Sequence, residues 1–189
     1  WRWEMDRGDL ADSAGPPEAY VTAWKRARRI FAEQGATNAS WVWCPTAWGF
    51  GKDRAAEFYP GDDQVDWLCV DAYAGDDMRP LEDVIGPFMR WAKDHPNKPI
   101  MIGEYGAHGD DAARARWLRE VGAMAKRRVR IKALVYFDSN FYDDGERKPY
   151  TLRNSPKSQA AYRELLKDPF FNPRRLPVRP PDGTQGRPR

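Results

Sequence analysis

The chain has 189 residues, of which 41% are apolar, 31% charged and 13% aromatic, a balance that excludes a disordered polypeptide. Its longest unbroken apolar run, Ala133 to Phe137, falls far below the roughly 18 residues that a membrane-spanning helix needs, so no membrane partner is expected. The formal charge of +3 is local: from Arg174 to Arg189 five arginines face one acid, Asp182, which leaves −1 for residues 1 to 173 and no basic footprint for nucleic acid.

In chain order, short β-rich runs alternate with amphipathic helical windows. Trp1 to Met5 reads as a strand interior. Pro17 to Gln34 places Tyr20, Trp24, Ala27 and Phe31 on one helical stripe, with Gly35 as a stop. Ser40 to Cys44 reads as a strand, Pro45 to Asp63 as a turn-rich stretch, and Val65 to Tyr73 as the next strand. Pro80 opens a helix that buries Leu81, Val84, Ile85, Phe88 and Trp91 and ends before Pro96. Pro99 to Glu104 follows as a strand, Asp111 to Arg127 as a helix burying Trp117, Leu118, Val121 and Met124, Ile131 to Asp138 as the last strand, and Pro156 to Lys167 as a closing helix.

This repetition predicts an α/β fold with parallel strands and helices packed outside, either an open doubly wound sheet or a closed (β/α)8 TIM barrel. The Gly-rich phosphate loop of a dinucleotide-binding sheet is absent from the sequence, which favours the barrel. Five strands within residues 1–168 match the later part of a barrel of about 250 residues, so an incomplete barrel lacking its first three β/α units is expected. From Pro169 to Arg189 the composition turns to proline and arginine without apolar period, an expected disordered tail.

Two cysteines, Cys44 and Cys69, are too few for a disulfide framework or a zinc site. They read as buried small residues, with pairing between neighbouring strands left open. Asp71, Asp76 and Asp77 lack the spacing and glycine of a calcium loop, so neither metal nor cofactor is expected.

In a parallel barrel the reacting groups sit at the carboxyl ends of strands. Two carboxylates fit: Glu4, closing the first strand, and Glu104, closing Pro99-Ile-Met-Ile-Gly-Glu. Each is also readable as a surface acid at the start of a loop. As a pair they suit retaining cleavage of a glycosidic bond, which needs two carboxyl groups about 5 to 5.5 Å apart, one neutral and one ionised. Neighbouring acids push each other's pKa values apart and so take opposite roles.

A series of motifs in fixed order extends this reading: Trp-Glu-Met at 3–5, Tyr-Val-Thr-Ala-Trp-Lys at 20–25, Trp-Val-Trp-Cys-Pro at 41–45 and Tyr-Pro-Gly-Asp at 59–62. Val-Asp-Trp-Leu-Cys-Val-Asp-Ala-Tyr at 65–73, Ile-Gly-Glu-Tyr-Gly at 102–106 and Val-Tyr-Phe-Asp at 135–138 complete it. The series resembles the later half of family 26 glycoside hydrolases, retaining enzymes with a (β/α)8 barrel that are best known as endo-β-mannanases. The resemblance implies that Glu4 is the acid/base, that Glu104 is the nucleophile and that the Tyr73 hydroxyl hydrogen-bonds Glu104. It further implies an oligo- or polysaccharide substrate, no cofactor, secretion, and a monomer once the barrel is complete.

Among the tryptophans, Trp43 at a strand end and Trp48 in the loop beyond it are candidate sugar platforms, whereas Trp24, Trp91 and Trp117 fall on apolar helical stripes. His108, four residues past Glu104, is a candidate for the cleft rim, and His95 reads as a loop residue. Asp138 either meets ligand or caps the next loop. The sequence departs from the family where Trp3 replaces the usual histidine before the acid/base, where Asp6 to Leu10 replace the usual Asn-Gly and tryptophans, and where no sugar-wall tryptophan follows the last strand. These changes surround the sugar-reading positions, so the reaction class is better supported than mannan as substrate. The alternative expectation is a non-catalytic carbohydrate-binding or scaffold protein derived from such a barrel.

Overall fold

The computed structural model describes residues 16–143 and 145–172. The strand expected at Trp1 to Met5, with Glu4, lies outside the described residues, as does the expected tail from residue 173 onward. Four parallel strands form one sheet in the order β1 (Val42–Trp43), β2 (Trp67–Tyr73), β3 (Ile100–Gly106) and β4 (Ile131–Tyr136). Sequential neighbours joined by helical crossovers are what the alternating pattern predicts, and the result is an α/β fold of the kind found in part of a barrel.

Helix α1 spans Pro17–Glu33, with proline at its first turn, where the missing N–H costs no hydrogen bond. Its stripe is less buried than expected. Tyr20 and Trp24 pack against the core, while Phe31 stays 45% exposed and meets Trp41 edge-on. The turn-rich stretch contains a short helix, α2 (Ala47–Gly51), whose first turn is capped by the Thr46 hydroxyl accepting from Gly49 N–H.

The single helix expected after Pro80 is broken into α3 (Leu81–Val84) and α4 (Gly86–Trp91). Gly86-Pro87 explains the break, since Pro87 lacks an N–H and its ring crowds the preceding turn. Helix α5 (Asp111–Arg127) has the boundaries that the sequence predicts, because Asp110 accepts hydrogen bonds from Ala112 and Ala113 N–H. Helix α6 (Pro156–Lys167) also matches, and Asp111 accepts from Lys157 and Ser158 N–H at its first turn, tying the two helices together.

The core lies between sheet and helices. Leu68, Val70, Ile100 and Ile102 are fully buried in one cluster with Ile85, Phe88, Trp117, Leu118 and Val121. Fully burying each such side chain contributes about 1.5–3 kcal/mol, which makes this layer the principal source of stability. At the amino end of the sheet, Arg130 donates to the carbonyls of Ala92 (2.7 Å), His95 (2.7 Å) and Lys98 (2.8 Å), closing the loop into β3. Lys98 donates to the carbonyls of Asp62 and Val65, and Asp62 also meets His95 and the Tyr59 hydroxyl.

Beyond β4 the chain forms an antiparallel hairpin, β5 (Asn140–Asp143) with β6 (Glu146–Pro149). The sequence reading had left this stretch without structure. The Asp144-Gly145 pair was the available signal, and Gly145 adopts φ +80°, the left-handed conformation that such hairpin turns demand.

Candidate active site

The chain register decides where Glu104 points. Along β2 and β3, Val70 aligns with Ile102 but Asp71 aligns with Glu104, so Gly103 is an extra residue in β3. A bulge of this kind breaks the strict alternation of a strand and re-aims the next side chain. Ile102 and Tyr105 remain buried among the helices, and Glu104 stands half-buried at the carboxyl end of the sheet.

Gly103 cannot be another residue without rearrangement. A Cβ placed there would lie 2.5 Å from Cys69 Sγ, 2.6 Å from Cys44 Sγ and 2.7 Å from Asp71 Oδ1. The two sulfurs are joined: Cys44, directly after β1, and Cys69, on β2, form a disulfide with their Cα atoms 4.2 Å apart. Of the two readings left open for these cysteines, pairing is the one observed, and Cys44 is only half-buried. Cys44 Sγ lies 3.2 Å from Asp71 Oδ1. Sulfur and carboxylate atoms of Cys44, Cys69 and Asp71 cluster within 4.8 Å, but sulfurs bonded to each other offer no thiolate to a metal.

The Tyr73 hydroxyl donates a hydrogen bond to Glu104 Oε2. Burial first, and then the bond to Glu104, push the Tyr73 phenol well above its ordinary value, so it remains a donor at any physiological pH. A donor fixed on one carboxylate oxygen sets its plane, which is what a nucleophilic carboxylate requires. Asp71 adds a second negative charge near Tyr73. Asp71 belongs to the motif at 65–73 and lacks the spacing of a calcium ligand; its period-two spacing from Tyr73 on one strand is the signal that places it beside the site.

Aromatic rings wall this cluster. Tyr150 lies 4.9 Å and Phe137 5.7 Å from the Tyr73 ring, centroid to centroid, and His108 meets Tyr150 edge-on at 5.3 Å. His108 Nε2 is also 3.1 Å from Asp76. Asp138 accepts a hydrogen bond from Leu152 N–H, so of its two readings the loop-capping one is observed. Phe137 belongs to the Val-Tyr-Phe-Asp motif at 135–138, whereas nothing local in the sequence marks Tyr150.

Trp43 requires a correction. It is completely buried, with its indole against Phe50, Tyr59 and Trp91, so it is a core residue and no sugar reaches it. Trp48, in α2, is 49% exposed with Lys52 over its ring. Glu4 lies outside the described residues. A hollow of about 530 Å³, lined by residues that include Tyr136, Asp138, Leu152, Tyr162 and Leu166, shares no residue with the Glu104 cluster.

Residues 1–86 match the sequence model of Glycosyl hydrolase family 26. The chain resembles family 26. Endoglucanase H of Acetivibrio thermocellus is 28% identical over 165 residues, covering 82% of this chain and 18% of that protein. Beta-1,3-xylanase TXYA of a Vibrio species is 38% identical over 74 residues, 36% of this chain and 15% of that protein. Among solved structures, a family 26 β-mannanase from Bacteroides ovatus superposes with a TM-score of 0.59 at 19% identity, over 83% of this chain and 45% of that one. The chain therefore spans less than half the length of these relatives. The structural likeness establishes the barrel-type fold, and the sequence likeness to family 26 lies in the part that carries Glu4 and Tyr73.

Proposed function

We propose that the chain supplies the catalytic carboxyl groups of a retaining β-glycoside hydrolase acting on a β-linked polysaccharide. The observation that carries this reading is Glu104, re-aimed by the bulge at Gly103 and holding the Tyr73 hydroxyl at the carboxyl end of a parallel sheet. In the proposed reaction the Glu104 carboxylate attacks the anomeric carbon as Glu4 protonates the departing oxygen, giving a glycosyl ester of Glu104. Glu4, now ionised, removes a proton from water, which attacks the same carbon and releases Glu104. Tyr73 keeps Glu104 oriented for attack through the hydrogen bond to its Oε2.

Mannan is the substrate suggested by the Bacteroides mannanase, whereas the named relatives in sequence are an endoglucanase and a β-1,3-xylanase. The changes around Glu4 and beyond β4 fall at sugar-reading positions, so β-linked glycans are the class to assay together. The Cys44–Cys69 disulfide supports action outside the reducing cytosol.

The test is turnover of aryl β-glycosides and of β-mannan, β-glucan and β-1,3-xylan. Glu104→Gln is expected to lower kcat by several orders of magnitude while leaving saccharide binding in place. Undiminished turnover would remove Glu104 as nucleophile. Saccharide binding with no hydrolysis, unchanged by Glu4→Gln, would instead support a carbohydrate-binding protein.

A further inference from the structure

The hairpin β5–β6 makes contacts that no requirement of the sheet explains. Lys148, on β6, donates to Asp76 (3.0 Å), in the loop after β2, and to Glu146 (2.9 Å). Asp76 is shared with His108, from the loop after β3. One ionic cluster thus joins the loops that follow three strands of the sheet. The Lys148 side chain is only 13% exposed, while Asp76 (77%) and Glu146 (73%) face solvent, so the lysine stem packs against the protein and its ammonium reaches out to acids at the surface.

Two residues beyond Lys148 stands Tyr150, 8% exposed. Its backbone is held on all sides. Tyr136 OH donates to the Tyr150 carbonyl at 2.7 Å, Arg114 to the carbonyls of Pro149 (2.8 Å) and Thr151 (3.3 Å), and Leu152 N–H to Asp138. Its ring leans on Tyr73 from one side while Phe137 meets Tyr73 from another. Gly106 leaves the room for this stack, since a Cβ there would lie 2.9 Å from the Tyr150 ring and 3.4 Å from that of Tyr73. The Tyr73 hydroxyl lies on the long axis of its ring, so turning the ring about χ2 leaves the oxygen in place, whereas a change of χ1 in an unsupported ring swings it away from Glu104.

We infer that Tyr150 is a positioning residue for Glu104: it acts through Tyr73, whose ring it fixes, and the hairpin tied down by Lys148, Asp76 and His108 is the strap that holds Tyr150 in place. The role in catalysis rests on the hydrolase reading above; the fixing of Tyr73 does not. A strap of this kind couples the loop beyond the last strand to the nucleophile without touching substrate.

Two measurements on the full chain test it. In turnover, Tyr150→Leu is expected to lower kcat on the order of 10- to 100-fold, the size of one hydrogen bond to a charged group, with KM nearly unchanged. Tyr150→Phe, which keeps the ring, is expected to restore most of the loss. The double variant Tyr73→Phe/Tyr150→Leu is expected to be no slower than Tyr73→Phe alone; losses that simply multiply would overturn the inference. The second measurement needs no activity. In a chain labelled at the tyrosine ζ carbon, with Tyr73 assigned by comparison with Tyr73→Phe, NMR at neutral pH is expected to show the Tyr73 resonance moved in Tyr150→Leu toward that of a solvent-exposed tyrosine and near its original position in Tyr150→Phe. An unmoved Tyr73 resonance in Tyr150→Leu would overturn the inference whether or not the chain hydrolyses a glycan, and a moved resonance without turnover would count against the hydrolase reading alone.

Discussion

At the amino end of the sheet Arg130 gives its guanidinium to three backbone carbonyls and Lys98 its ammonium to two more, so the charges there close loops. At the carboxyl end Glu104 receives one phenol from Tyr73, stands half-buried, and shares its neighbourhood with Asp71 and a ring of aromatic side chains. Each end has a histidine beside an aspartate: His95 with Asp62 at the amino end, His108 with Asp76 at the carboxyl end. The difference lies in what the surrounding groups are held for. Polar groups fully satisfied by backbone stabilise the fold, whereas Glu104, with Tyr73 as its side-chain donor among the described residues, is the group proposed for chemistry.

That contrast is open to direct attack at both ends, beginning with the largest effect. Gly103→Ala puts a methyl group against both sulfurs of the disulfide and Asp71. It is expected to displace Glu104 and lower kcat/KM by at least 100-fold, about 3 kcal/mol at the transition state, alongside a stability loss of about 1–3 kcal/mol from overpacking. Activity per folded molecule, compared with a urea midpoint, checks it; a fully active variant would show that the bulge does not aim Glu104.

Arg130→Ala should do the reverse. Leaving three carbonyls without their donor is expected to cost about 2–3 kcal/mol of stability, read as a lower urea midpoint at unchanged slope, with kcat per folded molecule unaffected. A large drop in kcat would mean that the amino end is not merely structural.

The smallest expected effect concerns acid. Burial pushes the Asp111 carboxyl upward, but the Ser158 hydroxyl and the N–H groups of Lys157 and Ser158 outweigh it and hold it below the ordinary carboxylate range. A group whose folded-state pKa is depressed contributes stability that is complete above its unfolded value, about 3.9, and is lost as pH falls through the folded value. Thermal melts of the unaltered chain should therefore lose stability faster below about pH 4 than those of Asp111→Asn, while the two run parallel at neutral pH. Identical acid limbs would show that the α5–α6 junction does not depend on this charge.

Much of the fold was legible because its signals are short-range. The apolar period from Asp111 to Arg127 and Pro156 at the head of another window gave α5 and α6 their boundaries, and the β-rich runs gave the strands of the sheet. Local rules also account for the differences: Gly86-Pro87 breaks the helix that the apolar period makes continuous, and Asp144-Gly145 marks a hairpin in a stretch where no element is expected. Within the site, Glu104 was legible as the polar end of an apolar strand. Trp43 was not, since strand-end position is compatible with either face, and only the packing of Phe50, Tyr59 and Trp91 around it shows which face it took.

The sequence by itself determined which strand would deliver an acid and which helices would cover the sheet, because periodicity and caps act over a few residues. Only the tertiary structure decided that Cys44 and Cys69 join beneath Gly103, that Glu104 is turned by a bulge, and that Tyr150 braces Tyr73. Those contacts bring together side chains from different strands and loops, and their geometry follows from register and close packing, which no local stretch of sequence encodes.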